Sequence, residues 1–155
     1  MNNMTHYMAL LASAQPWHLI IFMAIPVILA ETLTISELFI IYSRQTDGIA
    51  KQINKFAGIV FGFYFTGIFI YLLNTAVIPL TINNKWNTWI DVTAVGSYLS
   101  GVLVLLPISL MELGILFKNK SEEEKLKLHY KLISGFLVVA HVAMVFGMLN
   151  PTLFI

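Results

Sequence analysis

The chain has 155 residues, of which 58% are hydrophobic and 11% are charged, and its mean hydropathy is +0.81. A soluble domain typically carries about 25% charged residues, so the composition indicates an integral membrane protein without a separate soluble domain. A net charge of +1 gives no reason to expect a nucleic-acid partner, and the lack of cysteine excludes disulfides and thiolate metal sites.

Four apolar runs follow a short N-terminal arm of residues 1–15, in which Thr5 is a candidate helix cap. Each run is long enough to cross a hydrocarbon core of about 30 Å, and backbone groups in lipid must hydrogen-bond internally. We therefore predict an all-α membrane protein, a single transmembrane domain folded as a four-helix bundle. The predicted helices cover Trp17–Tyr42, Phe56–Leu80, Trp89–Phe117 and Leu132–Asn150.

The fourth helix is predicted to begin outside the membrane, near residue 122. Ser121 followed by Glu124 matches a capping box, and an acidic first turn favours a helix N-terminus. Eight of the nine basic residues lie in or beside the first and third connections, and Lys85 alone lies in the second. The positive-inside rule then predicts a multi-pass protein with both termini outside and those two connections in the cytoplasm.

The two helical hairpins resemble each other weakly. Glu37 and Glu112 each precede an apolar stretch and basic residues, and Lys55 matches Lys131 at nearly the same offset. Tandem hairpin repeats of this kind would place Glu37 and Glu112 opposite each other across the bundle axis.

Three glutamates and one histidine lie inside the apolar runs: Glu31, Glu37, Glu112 and His141. A carboxylate in hydrocarbon costs roughly 2.5–3.5 kcal/mol on insertion scales, so such groups usually face a bundle interior or a water-filled cavity. A neutral carboxyl that only links helices could explain one glutamate. Three of them beside a histidine favour an ion- or proton-binding site.

Counting 1.5 Å per residue from the helix ends assigns these groups to two depths. Glu31 and His141 fall near the bilayer midplane and could pair. Glu37 and Glu112 fall roughly 10 Å nearer the cytoplasm, and His129 falls near the inner boundary. Pro26 and Pro107 each lie five residues before a glutamate, where they either free carbonyls for a cation or simply bend the helices.

A looser polar group is predicted toward the outer side, and it contains the candidates for one haem b. Histidine or methionine side chains would be its axial ligands. A metal site of mixed His and Glu ligands is not supported by any local motif, so we assign no metal from the sequence. The members of this outer haem or polar site are His18, His141, Met144, Asn74 and Asp91, with Met148 as another axial candidate.

Three classes of function follow from these residues. The first is proton- or cation-coupled transport of a small solute or ion, for which a chain of this size is expected to form a homodimer. The second is membrane electron transfer with haem b or quinone. The third is an accessory or structural membrane subunit, and no catalytic residue is identified.

The segment from Gln15 to Glu31, QPWHLIIFMAIPVILAE, is followed by Glu37-Leu38, and the tail reads HVAMVFGMLNP from His141 to Pro151. Over the whole chain these segments resemble a small family of four-helix membrane proteins from Gram-positive bacteria that are sometimes labelled permease. The resemblance implies a bacterial plasma membrane and carries no established substrate or cofactor.

Overall fold

The structure is a computed structural model that describes residues 4–44 and 47–154, with side chains described up to residue 152. The described residues contain no strand, which confirms the all-α class. Four helices are long and apolar enough to cross a membrane, and they fit a multi-pass membrane protein. The helices are α1 His6–Ser13, α2 Trp17–Ser43, α3 Ile49–Ile82, α4 Trp89–Glu112 and α5 Glu122–Met148, followed by a 3-10 turn, Pro151–Phe154.

The tightest helix contact joins α3 to α4 at Gly62. A Cβ atom at this position would lie 1.8 Å from Ser109 Oγ and 2.5 Å from the carbonyl oxygen of Leu105. Ser109 also donates a hydrogen bond of 2.8 Å to the carbonyl of Gly58. Small residues therefore allow close packing here, as small residues do between membrane helices. Gly67 differs, since a Cβ there would meet nothing within 4 Å.

The backbone carbonyls one turn before Pro26 in α2 are bonded by neighbouring helices. Proline has no N–H, and a π-helical turn, Ile20–Ala24, precedes it, so the carbonyls of Ile21 and Phe22 lack ordinary helical donors. The hydroxyl of Tyr64 donates to Ile21 and that of Tyr98 donates to Phe22, each at 2.8 Å. These carbonyls are thus bonded by α3 and α4, which supports the packing interpretation of Pro26.

α4 is shorter than its predicted range and ends at Glu112 rather than Phe117. Gly114 takes a left-handed φ of 70°. Its N–H bonds the carbonyl of Met111 at 2.9 Å, and the N–H of Ile115 bonds that of Leu110 at 2.9 Å. This pairing is the Schellman arrangement, which stops a helix at a glycine.

The N-terminal arm ties α4 to α5. Thr5 caps α1 as predicted, accepting a bond from the N–H of Met8, and its hydroxyl donates to the carbonyl of Gly147 at 2.6 Å. The backbone N–H of His6 donates to Asp91 Oδ1 at 2.7 Å, and its ring contacts the other carboxylate oxygen. Asp91 is completely buried by these contacts.

The two ends of the bundle are chemically different. We name the end that carries Arg44, Gly48 and residues 113–121 the basic end. There Lys51 of α3 lies 3.2 Å from Glu122 of α5, and the Ser121–Glu124 capping box is confirmed. The opposite end carries α1 and residues 83–88.

Candidate functional site

A buried histidine joins two glutamates near the basic end. Nδ1 of His129 lies 2.8 Å from Oε2 of Glu37, and Nε2 lies 3.6 Å from Oε1 of Glu112. The side chains of Glu37 and His129 are 1% and 3% exposed, whereas that of Glu112 is 22% exposed. Helices α2 and α4 thus each place one carboxyl group beside an imidazole ring that belongs to α5.

Asn54 of α3 completes this set, which we name the basic-end cluster: Glu37, Asn54, Glu112 and His129. The amide nitrogen of Asn54 donates to Glu37 Oε2 at 3.1 Å, to Ser36 Oγ at 3.0 Å and to the carbonyl of Leu33 at 3.2 Å. The amide therefore fixes one carboxyl oxygen of Glu37.

Several buried polar atoms of the basic-end cluster have spare bonding capacity. Glu37 Oε1 and both ring nitrogens of His129 have no hydrogen-bond partner among the described residues. The 2.8 Å separation from Glu37 is that of an ion pair, but the ring nitrogen lacks the angle of a hydrogen bond. Buried polar atoms are normally bonded, so these atoms favour a site that takes up a proton or a polar ligand.

The basic-end cluster opens into a cavity of about 300 Å³. Three lysines line it together with Glu122, which lies 2.9 Å from Lys125 and 3.2 Å from Lys51. Three acidic side chains and three lysines therefore surround the cavity together with the His129 ring. The lysines are Lys51, Lys55 and Lys125.

The predicted inner pair of Glu37 and Glu112 is brought together through a residue that sequence reasoning left out of the site. The depth count predicts His129 near the inner boundary but gives no reason to group it with the glutamates. Their equal depth could have been predicted from the helix ends. His129 lies seven residues after Glu122, and Glu37 lies six residues before Ser43, so each is about 10 Å from the end of its helix. Asn54 gave no comparable signal.

The predicted central pair has a different environment. Glu31 and His141 are both exposed, and both line a second cavity of about 310 Å³, which we name the midlevel cavity. No ion pair joins the two side chains in the part of the chain that the structure describes. The remaining walls are mostly apolar and rich in aromatic rings from Phe22, Phe65, Tyr98 and Phe136.

One ring nitrogen of His141 is already hydrogen-bonded within α5. Its Nδ1 lies 2.6 Å from the carbonyl oxygen of Leu137, one turn earlier in α5. A carbonyl can only accept, so Nδ1 carries a proton, and in a neutral ring Nε2 is then the acceptor. The hydroxyl of Tyr98 is likewise hydrogen-bonded, since it donates to the carbonyl of Phe22. Burial raises the pKa of Tyr7, which also lines the cavity, to about 12.

An apolar layer separates the two cavities. Leu33 lies one turn from both Ala30 and Glu37, and Ile133 lies one turn from both His129 and Leu137. These two side chains and Phe61 are 0–2% exposed and belong to the same core. The basic-end cluster and the midlevel cavity are therefore neighbouring but not continuous.

The predicted outer polar group is dispersed. His18 contacts Ser13 Oγ and the carbonyl of Leu10, both at 2.9 Å, and Asn74 donates to the carbonyl of Ile70. Asp91 is held by α1, as described above. His141 and Met144 line the midlevel cavity, but His18 does not.

These positions do not fit a haem. His141 and Met144 are three residues apart on α5, so they lie on one helix face and cannot occupy opposite sides of a porphyrin plane. His18 is directed toward α1 instead of the cavity. The described residues also contain no group of three or more His, Asp or Glu side chains that could hold a metal ion.

Comparison with known proteins identifies a family but no activity. A family model described as "Family of unknown function (DUF6803)" matches residues 1–155. No curated protein and no solved structure matches the chain. The chain therefore belongs to the DUF6803 family.

Proposed function

We propose that this protein is a proton-coupled membrane transporter of a small solute, with the basic-end cluster as its proton site. The observation that carries the proposal is the buried Glu37–His129 contact, with Glu112 on the other ring nitrogen. Ionisable groups inside membrane helices are typically parts of ion pathways or proton relays. Here a protonated His129 would direct one N–H toward each of the two carboxylates.

The two cavities support transport more than a structural role. A residue set that only locks helices together needs neither unbonded polar atoms nor space, yet the basic-end cluster has both. The midlevel cavity lies one apolar layer away, and displacement of Leu33, Phe61 and Ile133 would join the two. Alternating access exposes one site near the bilayer midplane to each side in turn, and the apolar layer would be the barrier on the side of the basic end.

The permease label and the membrane orientation belong to the same proposal. The basic end would face the cytoplasm of a bacterial plasma membrane, since it holds eight of the nine basic residues. Tandem hairpin repeats would account for Glu37 and Glu112 approaching opposite nitrogens of one imidazole. A homodimer would cover the exposed polar groups of α2 and α5.

The test uses proteoliposomes loaded with pyranine and a small-molecule extract of bacterial cells, with the membrane voltage clamped by potassium and valinomycin. An imposed pH gradient should drive proton flux well above that of protein-free liposomes. Glu37→Gln should reduce the flux at least about tenfold, because the carboxylate that shares the proton is lost.

The matched control is Glu123→Gln, which alters an exposed glutamate paired with Lys127 at 2.7 Å outside the cluster. Its flux should equal that of the unmodified protein. Equal flux with and without protein, or full flux in the Glu37 variant, would remove the cluster from the mechanism.

A further inference from the structure

The midlevel cavity combines apolar walls with the Tyr7 hydroxyl and two polar groups that can accept hydrogen bonds, Glu31 and His141. Glu31 provides a carboxylate, and the neutral ring of His141 would provide the lone pair of Nε2, since Nδ1 donates to the carbonyl of Leu137. The Tyr98 hydroxyl is committed to Phe22. A ligand whose polar end could bond Glu31 and His141 together must therefore donate hydrogen bonds or carry positive charge.

The walls add a second requirement. Of the aromatic rings that line the cavity, those of Phe22, Phe65, Tyr98 and Phe136 are almost completely buried. Aromatic rings attract cations over their faces, and they also pack against an aromatic or aliphatic body. Volumes of roughly 300–1,000 Å³ are typical of small-molecule sites, and this cavity has about 310 Å³.

The position of Glu31 gives a reason for a charged occupant. Its side chain is exposed near the middle of α2, between exposed apolar residues such as Val27, Ile28 and Ile35. A carboxylate on such a surface is unfavourable in lipid unless something neutralises it. No lysine, arginine or ion-pair partner of Glu31 lines the cavity within the described residues.

We propose that the midlevel cavity binds an amphiphilic organic cation, an ammonium group attached to an aromatic or aliphatic body. The ammonium lies between Glu31 and His141 Nε2, and the apolar body lies among the aromatic rings. This assignment extends the proposed transport function by naming the class of solute, but binding itself does not depend on transport.

Three probes with one phenylbutyl body separate charge from apolar packing: 4-phenylbutylammonium, 4-phenylbutanol and 4-phenylbutanoate. Isothermal titration calorimetry of the full chain in lipid nanodiscs should give a Kd for the ammonium at least about tenfold smaller than for the alcohol. The carboxylate probe should bind more weakly than either.

Glu31→Gln should raise the Kd of the ammonium probe about tenfold or more and change the Kd of the alcohol probe by no more than about twofold. Unchanged alcohol binding shows that the variant cavity is still folded. Glu37→Gln should leave the Kd values of both probes unchanged. Binding and proton flux therefore depend on different residues, and a failure of one experiment is distinguishable from a failure of the other.

Three results would overturn the proposal. One is that the ammonium probe does not bind the unmodified protein. Another is that the carboxylate probe binds as tightly as the ammonium. The third is that Glu31→Gln leaves ammonium affinity unchanged or alters only the oligomeric state, which would show that a second copy of the chain covers this face.

Discussion

The basic-end cluster and the midlevel cavity both contain a glutamate and a histidine contributed by α2 and α5, yet they differ in how these groups are held. Glu37 and His129 are buried 2.8 Å apart, and Asn54 holds one oxygen of the carboxylate. Glu31 and His141 are exposed along an apolar cavity and do not pair. The chain thus contains one assembled ionic site and one site whose polar groups still lack a counterpart.

Packing explains this difference. α3 and α4 are in close contact through Gly62 and Ser109, and they bring Asn54 and Glu112 against α2 and α5 near the basic end. Farther along the bundle, aromatic side chains occupy the space between helices, so α2 and α5 border a cavity instead of meeting. Residue identity alone therefore does not define a site, because close helix packing decides which ionisable pairs form.

The largest expected effect comes from replacing the histidine of each site with leucine. His129→Leu should destabilise the protein by about 3 kcal/mol or more, because it leaves a buried carboxylate without its partner. His141→Leu should change stability by no more than about 0.5 kcal/mol, since its ring is exposed. Equilibrium unfolding in detergent micelles, followed by tryptophan fluorescence, measures both.

Similar losses in the two histidine variants would contradict the contrast between a buried, paired site and an open one. Glu37→Leu combined with His129→Leu provides a further control. Removing both partners should cost less than removing His129 alone, because no unpaired group then remains in the core.

A smaller effect is expected from the packing that assembles the basic-end cluster. Gly62→Ala should cost about 1–3 kcal/mol, since its Cβ would lie 2.5 Å from a backbone carbonyl oxygen that cannot move aside. Gly67→Ala is the matched control in the same helix and should be neutral or slightly stabilising. The same unfolding assay distinguishes them, and equal stability of the two variants would argue against close α3–α4 contact.

Much of the fold could be predicted from the sequence. The length and polarity of the apolar runs determined the four spans, and local chemistry identified the Thr5 cap and the Ser121–Glu124 capping box. Gly114 is also a local indication that α4 ends early, but the apolar residues after it led to a predicted helix that is too long. Helix-local rules therefore predicted most of the secondary structure.

The site was harder to predict, because contacts across helices depend on rotation as well as depth. The depth count brought Glu37 and Glu112 to one level but could not show that His129 lies between them. The contact between His6 and Asp91 depends on how α1 folds back over the bundle. The sequence contains no local pattern that fixes either arrangement.

The central claim is that His129 exchanges a proton while it is held between Glu37 and Glu112. The most direct measurement is solid-state NMR of the full chain in lipid with 15N-labelled histidine, assigned by loss of signal in His129→Asn. The account predicts that the His129 nitrogens convert with pH between the well-separated signals of a neutral ring and the closely spaced signals of an imidazolium, and that Glu37→Gln shifts this conversion. A His129 ring that keeps one protonation state across the stable pH range, in both proteins, would contradict it.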